Sequence, residues 1–201
     1  MDKWTRFKYL PVIPLGEDGK IVTGSKEHIR LSHETATEGM VLLKNEQNVL
    51  PLKKGAKVAL FGKASADYVK GGGGSGDVTV AYVRNLCDGM EDKAAEGKVE
   101  VYAPLHAFYR ENVKKQYAAG TRPGYTVEPA IPANLLKEAA ESCDTAIISI
   151  CRFSAEGWDR KGKPNDGDFY LSLEEQRMVA DVVENFAHIV VVLNVGGMVD
   201  T

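Results

Sequence analysis

The chain has 201 residues, 44% hydrophobic and 26% charged, which suits one or at most two globular domains with a sizeable core. Its formal charge of −3 gives no basic field for a phosphate backbone, so nucleic acid is not an expected partner. No apolar run approaches the roughly 20 residues of a membrane span, and an opening broken by Pro11 and Pro14 is a poor secretory signal.

Residues 1–24 read as an irregular lead punctuated by Pro and Gly, with the domain proper over 25–201. From Ser25, an N-cap, "SKEHIRLSHETATEGMVLLKN" reads as a helix with Ile29, Ala36, Met40 and Leu43 on one face. "NVLPLKKG" is a turn, and "KVALFG" (57–62) a short apolar strand. A glycine-rich loop and a helix over about 78–92 follow. "KVEVYAP" (98–104) is a second strand, "LHAFYRENVKKQYAA" a helix, and "GTRPGYTVEPAIP" an exposed loop. "ANLLKEAAESC" is helical and "DTAIISICRF" a continuously apolar strand. Ser172 and Glu175 form an S-x-x-E capping box at the head of "LEEQRMVADVVENFA". "HIVVVLNVGG" is a last buried strand.

Strands alternate with helices, and the strands are apolar without alternation. That pattern predicts an α/β fold, a three-layer sandwich whose mostly parallel sheet is covered by helices on both faces. In such sheets ligands gather outside the carboxyl ends of the strands. A core strand ending so near Thr201, with no helix after it, points to a sheet incomplete at its C-terminal end.

Cys87, Cys143 and Cys151 are an odd set with no C-x-x-C pair, which reads as three inert reduced thiols in a cytoplasmic protein, Cys151 as a small buried hydrophobe. His28 and His33, five apart, miss the spacing that puts two ligands on one helix face, so no metal is expected.

"KGGGGSGDV" formally satisfies G-x-G-x-x-G through Gly71, Gly73 and Gly76. A dinucleotide site needs that motif directly after its strand, whereas "KASADYVK" intervenes, and no G-K-[ST] follows. No cofactor is expected. The glycine run is either a flexible surface loop or a backbone pressed against a ligand or a neighbouring domain, with Ser75 offering a hydroxyl.

The stretch "RFSAEGWDRKGKPNDGDFY" (152–170) is a long polar excursion where a strand should turn into a helix, and such loops lean towards function. Spacing alone leaves Glu156 a solvated acid paired with Arg152 or Arg160. Asp159 and Arg160 read as a local ion pair. Trp158 either stacks on a sugar ring or anchors the loop against Phe153. Asp166, Asp168 and Tyr170 are solvated turn residues or the lining of an outer subsite.

Together "ETATEGMVLLKNEQNVLPL", "KVALFGKAS", "GGGGSGDV", "SAEGWDR" and "IVVVLNVGG" resemble the α/β sandwich domain of glycoside hydrolase family 3, the β-glucosidase family. They stand in the family's order from about Ser32 to the end, while 104–142 match weakly and 1–24 hardly at all. The resemblance implies a two-domain retaining β-glycosidase, first of all a β-glucosidase. Its substrate would be a β-linked oligosaccharide or an aryl or alkyl β-glycoside. A nucleophilic aspartate would lie on a (β/α)8 barrel outside this chain, so the chain alone is expected to be inactive. By motif position Glu156 would be the general acid/base, and Ser75 would lie close to the bound sugar. Met1 stands about two dozen residues before the sandwich domain, similar to a minority of members with reversed domain order, or to an expression fragment. The competing readings are a non-catalytic carbohydrate-binding or assembly module, acting through Trp158 and Ser75, and a nucleotide-binding regulator.

Overall fold

The computed structural model describes residues 17–18, 24–69, 74, 80 and 82–201. Two compact units divide the chain, Met1–Asn45 and Glu46–Thr201. The first holds helix α1, Lys26–Glu38, whose Ser25 side chain accepts the His28 N–H at 3.3 Å. This helix was expected to run on through Leu43. It stops at Glu38 instead, because Gly39, which disfavours a helix interior, takes the cap position with its N–H on the Thr35 carbonyl at 3.0 Å.

The second unit is built around a parallel four-stranded sheet of order β2-β1-β3-β4, with β1 Ala56–Phe61, β2 Val99–Val101, β3 Thr145–Arg152 and β4 His188–Val195. Helix α2, Leu86–Ala95, links β1 to β2. Helices α3, Ala103–Ala118, and α4, Ala133–Ser142, cross from β2 to β3, and α5, Leu173–Asn185, leads to β4. Successive side chains of a strand point to opposite faces. Ala59, Phe61, Ala146, Ile148 and Ile150 therefore pack with Leu105 and Tyr109 of α3, Ala139 of α4, and Met178 and Val182 of α5. Val58, Leu60 and Ile147 meet Cys87 of α2 on the other face. The expected sandwich, covered on both faces, is what the chain forms.

Boundaries differ where local chemistry competes with periodicity. Residues 82–85 are not helical, and α2 begins only after Asn85, whose side-chain oxygen accepts the Tyr68 N–H at 2.7 Å. Ala103 and Pro104, read as strand, open α3, since a proline suits a helix's first turn. β4 lies at the sheet edge with its side chains only partly buried, not as a buried core strand. Cys87 is fully buried, whereas Cys151 is only partly so; burial raises the Cys151 thiol and pushes those of Cys87 and Cys143 up to about 11. No helix among the described residues is long and apolar enough to cross a membrane.

The 121–132 loop departs most from expectation, because it buries Thr126 and Glu128 instead of lying exposed. Thr126 Oγ1 accepts from Lys63 Nζ at 2.9 Å and donates to Asp67 at 2.7 Å, while Tyr117 donates to the other Asp67 oxygen at 2.6 Å. Glu128, 5% exposed, accepts the Lys63 backbone N–H at 2.7 Å. These bonds fasten the loop to the turn that follows β1. Buried polar groups need partners of this kind.

A clamp joins the end of β3 to the head of α5. Arg152 reaches both Glu175 oxygens at 2.7 Å, with side chains only 3% and 7% exposed. Glu175 also accepts the Ser172 N–H at 2.9 Å, and Ser172 Oγ accepts the Glu175 N–H at 3.1 Å, the expected capping box. Breaking a buried pair strands one charge away from water. Arg152→Met should lower the unfolding free energy by about 3–5 kcal/mol in urea titrations; a loss below about 1 kcal/mol would mean that water reaches the pair.

Burial pushes the Glu128 carboxyl up to about 7 from 4.5, against the opposing Lys63 N–H. The folded protein thus keeps a proton that the unfolded chain releases. The stabilisation is complete below about pH 4.5 and is lost as pH rises through about 7. Glu128→Gln should flatten that decline, a difference on the order of 3 kcal/mol between pH 4.5 and 8 in urea midpoints compared with the parent. Parallel curves for the two proteins would refute the assignment.

Candidate functional site

The chain leaves β1 towards β2 on one side and leaves β3 towards β4 on the other, so the sheet's switch point lies between these central strands. Two connections depart there from carboxyl ends, 62–85 and 153–172, and such a divergence opens the crevice in which α/β sheets bind ligands. A cleft of about 590 Å³ lies at this edge, with Lys63, Thr126, Glu128, Arg152, Trp158 and Glu175 among its lining.

Each connection is drawn together at its base. The first is closed by the Tyr68–Asn85 bond. In the second, the Asp168 carbonyl accepts Arg152 Nε at 2.6 Å and Arg160 Nη2 at 3.1 Å. The Asp168 carboxylate pairs with Arg160 and accepts the Lys161 N–H at 2.6 Å. Arg160 therefore pairs with Asp168, not with Asp159 as expected, and Arg152 is taken by Glu175. Asp168 is a structural fastener instead of a solvated turn acid. Phe169 and Tyr170 continue this base, with the Asp200 N–H on the Phe169 carbonyl at 2.8 Å.

Beyond the fastened base the loop makes a tight turn, Ala155-Glu156-Gly157-Trp158, closed by the Trp158 N–H on the Ala155 carbonyl at 2.9 Å. Gly157 has φ +75°, the left-handed conformation that the third position of such a turn requires and glycine adopts freely. Glu156 thus occupies the turn's apex and is exposed. Trp158 packs at 5.2 Å between ring centroids from Phe153 and 6.1 Å from Tyr125, and stays 37% exposed. Its indole anchors the turn and still offers some open surface.

Gly74 meets this turn. A Cβ built on Gly74, at φ +59°, would stand 2.5 Å from Glu156 Oε2, 3.0 Å from its Cβ and 3.2 Å from its Cδ. Ser75, the other expected substrate contact, lies outside the described residues, as do Gly71, Gly73 and Gly76. Glu156 and Trp158 come together on one turn. The Asp168 fastener and the buried Glu128 were missed in the sequence; the S-x-x-E box alone hinted at Glu175. Among the described residues no group of three or more His, Cys, Asp or Glu side chains could hold a metal ion. An exposed carboxyl on a rigidly based turn can approach a reactant presented from outside the domain.

Comparison with known proteins identifies the family. The family described as "Glycosyl hydrolase family 3 C-terminal domain" matches residues 40–201. β-Glucosidase A of Butyrivibrio fibrisolvens is 52% identical over 221 aligned residues, covering 100% of this chain and 26% of that protein. A β-glucosidase of Ruminococcus albus is 36% identical over 87% of this chain and 18% of its own length. Among solved structures, β-glucosidase 3B of Thermotoga neapolitana with α-D-glucose superposes with a TM-score of 0.74 at 32% identity, covering 88% of this chain and 25% of that one. A β-glucosidase of Paenibacillus barengoltzii gives a TM-score of 0.78 at 27% identity, over 88% of this chain and 19% of that one. The chain spans about a quarter or less of the length of these relatives. With that match and the parallel sheet behind it, the chain belongs to glycoside hydrolase family 3 and forms its C-terminal α/β domain.

Proposed function

We propose that this domain serves a retaining β-glucosidase, supplying from Glu156 the general acid/base for hydrolysis of terminal β-linked glucosides. Its partner is a (β/α)8 barrel that carries the nucleophile and most contacts to the sugar. The observation that carries the reading is the exposed glutamate at the apex of a turn with a fastened base, at the sheet's switch point, within the "SAEGWDR" segment of a family 3 chain. Two carboxyl groups about 5–5.5 Å apart suffice for retention. The barrel carboxylate attacks the anomeric carbon as Glu156 gives its proton to the departing glycosidic oxygen. Glu156 then takes a proton from water, whose oxygen displaces the nucleophile. Trp158 and Ser75 are the residues proposed to meet the substrate from this side, and the similarity to proteins named β-glucosidases supports a β-linked substrate.

In the complete enzyme, Glu156→Ala should slow hydrolysis of substrates with poor leaving groups by about 10²–10⁴-fold. An activated aryl β-glucoside should suffer less and be partly restored by azide, which replaces the missing base-assisted water. Equal loss on every substrate with no azide effect would refute the role. The 201-residue chain itself, titrated with glucose and cellobiose in a calorimeter, should give no saturable heat; tight binding there would favour a carbohydrate-binding module instead.

A further inference from the structure

We infer that Gly74 is a positioning residue for Glu156: its bare Cα forms the seat on which the Glu156 side chain rests, so Gly74 sets where the proton donor stands. The inference rests on the reading of Glu156 as acid/base and extends it to a second loop.

The geometry separates this from a general need for flexibility. An added Cβ would press on Glu156 at two levels, its carboxylate oxygen at 2.5 Å and its own Cβ at 3.0 Å. Rotating the carboxylate away would relieve the first contact alone. The second lies at the root of the side chain, so the apex of the turn or Gly74 itself must give by a few tenths of an ångström. Retreat of the apex is resisted, since the turn is closed by the Ala155–Trp158 bond and anchored by Trp158 on Phe153 and Tyr125. Gly97, between α2 and β2, offers the contrast. Its φ of +70° is equally left-handed, yet a Cβ there would meet nothing within 4 Å. Backbone strain is shared by the two positions; contact with Glu156 is not.

The test uses the complete enzyme carrying this domain. Gly74→Ala is expected to lower kcat/KM by about 10-fold on a poor-leaving-group β-glucoside, because the root of Glu156 must give by a few tenths of an ångström, a fraction of the roughly 1 Å that costs about 100-fold. The loss should be several-fold smaller on an activated aryl β-glucoside. Gly74→Asn, which tolerates positive φ but keeps the intruding Cβ, should behave alike if Gly74→Ala fails to fold. Gly97→Ala should leave both substrates unaffected. In a Glu156→Ala background, Gly74→Ala should add no further loss, because residues that act through one another are not additive.

An equal loss on both substrates, a full further loss in the Glu156→Ala background, or unchanged activity in both Gly74 variants would overturn the seat. If Glu156→Ala shows neither leaving-group dependence nor azide rescue, the acid/base reading itself fails and the inference with it, a result read from that single variant before Gly74 is touched.

Discussion

The arginine at the end of β3 ties that strand to the first turn of α5 and to the returning limb of the loop. Arg152 neutralises Glu175 in the first turn of α5, and its Nε holds the Asp168 carbonyl on the returning limb of the loop. A guanidinium presents its donors in a fixed planar fork, so one side chain serves a bidentate carboxylate and a backbone oxygen at once. Glu175 in turn lies at a helix N-terminus, where a negative charge is welcome. The long connection therefore leaves β3 and returns to α5 with both ends held by one side chain. Buried pairs are weak sources of net stability, and their worth here lies in specifying one geometry.

On that base the site is assembled from unlike materials. A rigid parallel sheet supplies the edge, aromatic packing supplies the angle of the turn, and glycine supplies closeness. Glu128 and its partners do a different job underneath. They hold the 121–132 loop against the turn after β1, so that Tyr125 reaches Trp158. The chemistry proposed for Glu156 thus depends on residues contributed by three separate connections of the sheet.

The sheet was readable because "KVALFG", "TAIISICRF" and "HIVVVLNVGG" are apolar runs of strand length between helical patterns; the first two are buried, while the third lies at the edge and is only partly buried. Glu156 was readable only through its motif, since its spacing from Arg152 and Arg160 by itself favoured a mundane ion pair. Those arginines turned elsewhere for reasons that lie in three dimensions. Asp168 presents both a carboxylate and a carbonyl to Arg160, and Glu175 is brought to Arg152 by the β3–α5 crossover. The 121–132 loop misled because its Gly, Pro and Thr content is that of a surface turn, while Glu128 is buried by a bond from a backbone N–H 65 positions earlier. No local pattern carries a bond of that span.

That both connections are fastened at their roots bears on how such domains diverge. The segment between Tyr68 and Asn85, and the one between Arg152 and Asp168, each begin and end at a hydrogen bond, so a change of length between the fasteners need not displace the sheet. A graft cut outside these fasteners carries its own closure with it. One cut inside takes the Asp168 carbonyl from Arg152 Nε while the arginine's pair with Glu175 stays, and the scaffold bears that cost.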